Sequence, residues 1–152
     1  MTAERFALDT NLLAYTRDNS APVKQARARG VIGRAVRCKR CMLSVQVIGE
    51  LYASLRKRSA VSVALAIETV SDMTSLFPIV SIVPGDADQA LRAVAQQQLS
   101  YWDALMIATV HRAGCTCLLS EDMQDGAVLA GVTIRNPFVG AELPGEIAAL
   151  LG

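Results

Sequence analysis

Three stretches of the chain set four carboxylates where a strand ends or near where a helix begins. FALDTNLLAY puts Asp9 directly after a short apolar run, and LSVQVIGELYASL puts Glu50 inside an amphipathic segment. LSYWDALMIATVHRAGCTCLLSEDMQDG puts Asp103 in the first turn of one helix and Asp122 just past the strand that follows it. Carboxylates that meet repel one another, and either protons or a cation must relieve the repulsion. An all-oxygen donor set suits a hard ion such as Mg²⁺ or Mn²⁺. Such an ion grips phosphate oxygens and lowers the cost of deprotonating a water, which makes phosphodiester hydrolysis the natural chemistry. Each acid also has a purely structural reading. Asp9 can cap a helix. Asp103, three residues after Ser100, resembles half of a capping box. Glu50 borders an apolar helix face. Asp122 and Asp125 precede Gly126 in a turn-like stretch. The functional reading therefore rests on convergence, not on any one acid.

Convergence depends on the elements. Arg5 to Leu8 reads as a strand, Leu12 to Thr16 as the start of a short helix, and Pro22 as the first turn of a longer one. Met42-Leu43 is a weak strand, after which Ser44 can cap a helix to about Lys57, with Val47, Ile48, Leu51 and Leu55 at helical spacing. Residues 61–76 suit a helix, stopped by Phe77-Pro78, and Ile79 to Val83 reads as a strand. Pro84-Gly85 predicts a turn, with Asp86 or Asp88 opening the next helix. Ser100 caps the following helix and Gly114 closes it. Thr116 to Leu119 and Val132 to Ile134 read as strands, and the tail from Pro144 as a short helix. This alternation predicts one α/β domain over residues 1–152, built on a mainly parallel sheet. In such a sheet the carboxyl ends of the strands share one edge, and sites form there at the point where strand order reverses. Asp9, Glu50, Asp103 and Asp122 are all placed toward that edge.

Composition narrows the classes. Fifteen basic residues oppose fourteen acidic ones, so net charge argues neither for nor against a nucleic-acid partner. Its distribution says more. Residues 20–49 hold Lys24, Arg27, Arg29, Arg34, Arg37, Lys39 and Arg40 and no acid, and Arg56, Lys57 and Arg58 follow. Basic segments beside an acidic site suit a polyanion; the alternative is a solvated helix face. No apolar run reaches the roughly 18 residues of a membrane span. The first residues lack a signal-peptide pattern, so the expected location is the cytoplasm, with the cysteines reduced. Cys38-x-x-Cys41 and Cys115-x-Cys117 invite a zinc reading, but their irregular spacing suits packing better. With one histidine, His111, catalysis by a histidine pair is excluded.

The three acidic stretches, with the closing VTIRNPF, resemble the PIN-domain ribonucleases, specifically the VapC-type toxins of type II toxin–antitoxin pairs. Order and spacing match over nearly the whole chain. The resemblance implies a three-layer α/β/α sandwich on a central, mainly parallel sheet, and a Mg²⁺-dependent endoribonuclease. Mn²⁺ is expected to substitute. It implies that Asp9, Glu50, Asp103 and Asp122 form the catalytic, metal-binding quartet, with Asp9 and Asp103 the principal ligands. Glu50 and Asp122 would complete the site directly or through water. Thr10 and Ser120 look like hydroxyls that hold the acids, and Asp125 like a further acid where relatives vary. The resemblance also implies an RNA substrate, a cognate antitoxin that blocks the site, and a homodimer. Alternatives remain: a housekeeping RNA-processing nuclease, a non-catalytic RNA- or partner-binding module on the same fold, or a small-molecule phosphatase. The last lacks the second Asp expected two residues after Asp9, and no Gly-rich phosphate loop is present.

Overall fold

The computed structural model describes residues 3–58, 61–96 and 99–152. The chain opens with strand β1 (Arg5–Leu8), helix α1 (Thr10–Ala14) and a single 3₁₀ turn (Tyr15–Arg17). Then come α2 (Pro22–Cys38), β2 (Cys41–Ser44), α3 (Val45–Arg58), α4 (Val63–Leu76) and β3 (Ile79–Val80). The second half runs α5 (Pro84–Gln96), α6 (Tyr101–Arg112), β4 (Cys115–Leu119), β5 (Val128–Leu129), β6 (Val132–Arg135) and α7 (Gly145–Leu151).

These strands form one sheet in the order β3-β2-β1-β4-β6-β5. All neighbours are parallel except β5 and β6. The first crossovers step from β1 to β2 to β3; the next jumps back past β1 to β4. Because such crossovers are right-handed, α1 to α4 cover one face, and α5 and α6 cover the other. Helix α7 returns to pack on α2. The result is the three-layer α/β/α sandwich with a mainly parallel sheet that the sequence predicts. Phe6, Ala7 and Leu8 in β1 and Cys117, Leu118 and Leu119 in β4 are all buried, as strands covered on both faces require.

Three local expectations change. The strand at Ile79 stops at Val80 rather than Val83. Beyond it the Arg112 guanidinium takes the Ser81 carbonyl, and the Asp86 carboxylate takes the Val83 amide. Those bonds also move the start of the next helix to Pro84, where a proline suits the first turn. Asp86, in that turn, reaches back to the amide ahead of the helix, as the acid of a capping box does. It also accepts from Thr109 and Arg112, which ties α5 to α6. Finally, β5 was not expected. Its two-residue connection to β6, Ala130-Gly131, has positive φ at both positions (48° and 84°). That is the backbone of a tight hairpin turn, but alanine there gives none of the usual turn signal. Gly131 has a second reason to lack a side chain: a Cβ would sit 2.8 Å from His111 Nε2.

Leu118 lies in β4 between Ala7 of β1 and Ile134 of β6 and has no exposed surface. Leu118→Ala should cost about 3 kcal/mol, the usual penalty for a cavity at a fully buried leucine. Chemical denaturation measures it directly.

Candidate active site

The reversal of strand order falls between β1 and β4, the two strands whose ends carry Asp9 and Ser120. The Asp9 amide donates to the Leu119 carbonyl at 3.0 Å, and the Ser120 amide to the Arg135 carbonyl at 3.0 Å. The two residues therefore stand side by side at the carboxyl edge. Asp9 is only 5% exposed. One oxygen caps α1 by accepting from the Thr10 amide at 2.7 Å, and the other accepts from the Ser120 hydroxyl at 2.7 Å. The capping role and the site position thus belong to the same carboxylate.

Glu50 arrives from α3. The buried stripe of that helix, Val47, Leu51 and Leu55, faces the core. This turns Glu50, Ala53, Ser54 and Lys57, at spacings of three, four and seven, toward a common cleft. Thr10 donates its hydroxyl to Glu50 Oε2 at 2.7 Å, and Gln46 donates its amide to Oε1 at 2.9 Å. Asp103 arrives from α6, whose first turn is capped by Ser100 accepting the Asp103 amide at 3.1 Å. Asp122 lies on the loop after β4, its amide on the Ser120 hydroxyl (3.2 Å) and its carboxylate accepting from Asn11 Nδ2 (2.5 Å). All four acids line one cleft of about 300 Å³, together with Thr10, Asn11, Ala53, Ser54 and Lys57.

Proximity shows in the chemistry of Asp9. Burial raises its pKa from the ordinary 3.8 to about 6, and the charges of Asp122 and Asp103 push the same way. The bonds from Ser120 and the Thr10 amide pull it down, but they do not win. The cleft is nonetheless open. Among the described residues, no group of three or more acids, cysteines or histidines is arranged to hold a metal ion unaided. The four carboxylates share the cleft walls without closing into a cage.

The hydroxyls of Thr10 and Ser120 hold acids, as expected. Asn11 and Gln46 were not foreseen. Gln46 was legible, since it stands four residues before Glu50 on one helix face; Asn11 adjoins Thr10 in the DTN stretch. Asp125 is elsewhere: it accepts from the Asn136 amide at 2.9 Å and does not line the cleft. Glu121 turns away from the acids to pair with Lys24 at 2.9 Å and to accept from the Tyr15 hydroxyl.

Much of the basic run has partners within the fold, while Arg29, Arg37 and Lys39 keep exposed surface. Lys24 is taken by Glu121, while Arg27, Arg29, Arg34 and Arg40 donate to backbone carbonyls. Those five cations of the seven staple the fold. Arg34, Arg37 and Arg40 line a separate hollow with Gly152, beside the start of β2 and so near the opposite edge of the sheet. Of the second cluster, Lys57 lines the acidic cleft, and the Arg58 side chain lies outside the described residues. Cys41, Cys115 and Cys117 are buried on strands around β1. Burial pushes the thiols of Cys115 and Cys117 up to about 12, so they stay protonated and serve as packing groups. Trp102, 62% exposed, is no core residue.

Residues 6–124 match the family model of the PIN domain, and the chain belongs to that family. Among solved structures the fold is similar to that of VapC20 from Mycobacterium tuberculosis, a sarcin-ricin loop cleaving toxin. The two share 18% identity over 74% of this chain and 86% of that one, with a TM-score of 0.58. It is also similar to VapBC2 from Rickettsia felis bound to a promoter DNA fragment, at 12% identity over 86% and 97% of the chains and a TM-score of 0.66. DNA-bound VapBC from Salmonella typhimurium gives 16% identity, 88% and 98% coverage and a TM-score of 0.62. At these identities the likeness is one of fold. No curated protein matches the sequence.

The raised pKa of Asp9 has a consequence for stability. Between pH 3.8 and about 6 the native state keeps a proton that the unfolded chain loses, so stability falls as pH rises through this window. Asp9→Asn removes the penalty. In chelator it should stabilise the protein at pH 8 by up to about 3 kcal/mol, with the gain gone below pH ~4. Denaturant titrations at pH 4, 6 and 8 test both the sign and the window.

Proposed function

We propose that the protein is a divalent-metal-dependent endoribonuclease that hydrolyses RNA phosphodiesters in the cleft of Asp9, Glu50, Asp103 and Asp122, and that it acts as the toxin of a toxin–antitoxin pair. The observation that carries this reading is the gathering of those four carboxylates at the switch point of a PIN-domain sheet, around an Asp9 whose ionisation is opposed by burial and by the charges of Asp122 and Asp103. Such a cleft favours a cation. The donors are all oxygen, which fits Mg²⁺ or Mn²⁺. As the family resemblance implies, Asp9 and Asp103 would be the principal ligands, with Glu50 and Asp122 acting directly or through water. When bound, the ion supplies charge neutralisation on the phosphate and eases deprotonation of the attacking water.

The chain's own residues do the rest. Ser120 and the Thr10 amide fix Asp9, and Thr10 and Gln46 fix Glu50. Asn11 holds the Asp122 carboxylate toward them. Lys57, two turns beyond Glu50 on the same wall, offers the cleft a cation for a phosphate next to the scissile one. The toxin role and an antitoxin partner are supported by the fold neighbours, which include VapBC complexes and a toxin–antitoxin complex from Klebsiella pneumoniae. A homodimer belongs to the same reading, and sedimentation equilibrium tests it.

Purified protein freed of any partner should cut RNA into discrete fragments with Mg²⁺ or Mn²⁺ and not in EDTA. Asp9→Asn and Asp103→Asn should lower the rate by at least about a hundredfold while remaining folded, more than the loss typical of residues that only support a metal ligand. Unchanged cleavage in both variants would return the acids to capping and turn roles. Lys57→Ala should raise KM several-fold and make the salt dependence of RNA binding shallower by about 0.7 in log–log slope, one phosphate contact on a single strand.

A further inference from the structure

Glu50 sits in the second turn of α3 and lines the same cleft as Asp103. Thr10 holds one oxygen of its carboxylate, and Gln46 holds the other. From one turn earlier on the same helix, its amide nitrogen donates to Glu50 Oε1 at 2.9 Å and to the Trp102 carbonyl at 3.0 Å. A side-chain amide has two N–H groups, and each is used once. The orientation is therefore determined, because a flipped amide would set its oxygen against two acceptors. Trp102 immediately precedes Asp103. Helices α3 and α6 lie on opposite faces of the sheet, so this one side chain spans its carboxyl edge. It links the carboxylate of Glu50 to the helical turn that carries Asp103.

The link is made at the expense of a hydrogen bond. Gln46 Oε1 is buried, and no donor among the described residues reaches it. A buried acceptor left in this state works against folding, and an apolar side chain of the same length would avoid it. A clip that only joined two helices could be made more cheaply by packing. What packing cannot do is aim a carboxylate, which needs a directional donor.

We infer that Gln46 is a positioning residue for Glu50: it sets that carboxylate relative to Asp103 and so tunes how the cleft takes a divalent cation. The inference rests on the reading of the cleft as a metal-dependent nuclease site. It differs from a plain structural role in one respect, which is that it acts through Glu50. Gln46→Met keeps the length and removes the donor. Gln46→Leu removes the donor with a different apolar shape and, like methionine, adds no charge beside the cleft. Both are to be made in the wild-type and Glu50→Gln backgrounds. Mn²⁺ affinity is read by electron paramagnetic resonance, alongside kcat and KM on RNA and the unfolding temperature.

In the wild-type background, each substitution should weaken Mn²⁺ binding by about tenfold, the scale of a lost partner to a metal ligand, and lower kcat with KM for RNA unchanged. In the Glu50→Gln background, neither should weaken Mn²⁺ binding further. Equal losses in both backgrounds, or Mn²⁺ affinity and kcat unchanged in the wild-type background, would overturn the inference. If one substitution prevents folding, the other carries the comparison. Wild type that binds Mn²⁺ but leaves RNA intact would sink the nuclease reading alone, and the Mn²⁺ comparison would still decide the role of Gln46. Wild type that binds no Mn²⁺ would sink both.

Discussion

The molecule is organised around mutual repulsion among carboxylates that the fold forces together. A parallel sheet points every strand end to one edge, and the reversal of order between β1 and β4 opens a gap there. Asp9 and Asp122 come from the two strand ends, and Asp103 and Glu50 from helices on either side of the sheet. Ionised Asp9 is opposed by burial and by two of its neighbours, and its carboxyl is driven up to about 6. Nearly every polar group nearby answers that repulsion. Thr10, Asn11, Gln46 and Ser120 each donate to one of the acids, so the carboxylates of Asp9, Glu50 and Asp122 are held in set directions. A cleft so prepared asks for a cation rather than for protons at neutral pH.

Cations of the chain itself are mostly spent elsewhere. Arg27 holds the carbonyls of Pro137, Gly140 and Ala141, and Arg34 those of Ala148 and Gly152. Helix α2 thereby secures the irregular segment after β6 and the final helix, where few backbone groups find partners in regular structure. Lys24 does related work at the top of the same helix. It lies over the rings of Tyr15 and Phe138 and pairs with Glu121, beside Asp122. An acid adjacent to the site is thus neutralised, while Lys57 is left as the basic side chain among the residues lining the cleft.

On the far face, Asp86 and Arg112 give the same lesson in a structural setting. Their pair, with the Thr109 hydroxyl and the Val83 amide, pins the start of α5 to the end of α6. This anchors α6, and with it the turn that presents Asp103. Position in the fold separates these acids: Asp86 has a guanidinium beside it, and Asp9 has two carboxylates.

Much was legible from residue order alone. Strand–helix alternation, the caps at Ser44 and Ser100, and the apolar spacing of Val47, Leu51 and Leu55 are local or periodic, and propensity and period express them directly. They fix the direction of each element, which is why residue order alone sets the four acids toward one edge. What the tertiary structure decided is who meets whom across long separations. Thr10 serves Glu50, Asn11 serves Asp122, and Arg27 and Arg34 of α2 serve carbonyls more than a hundred residues away. No pattern in the sequence encodes those pairs, since hydrogen-bond partners are set by packing geometry and not by spacing along the chain. The hairpin at Ala130-Gly131 belongs with them: the pairing of β5 with β6 holds both residues at positive φ, against the preference of the alanine, and His111 leaves no room for a side chain on Gly131.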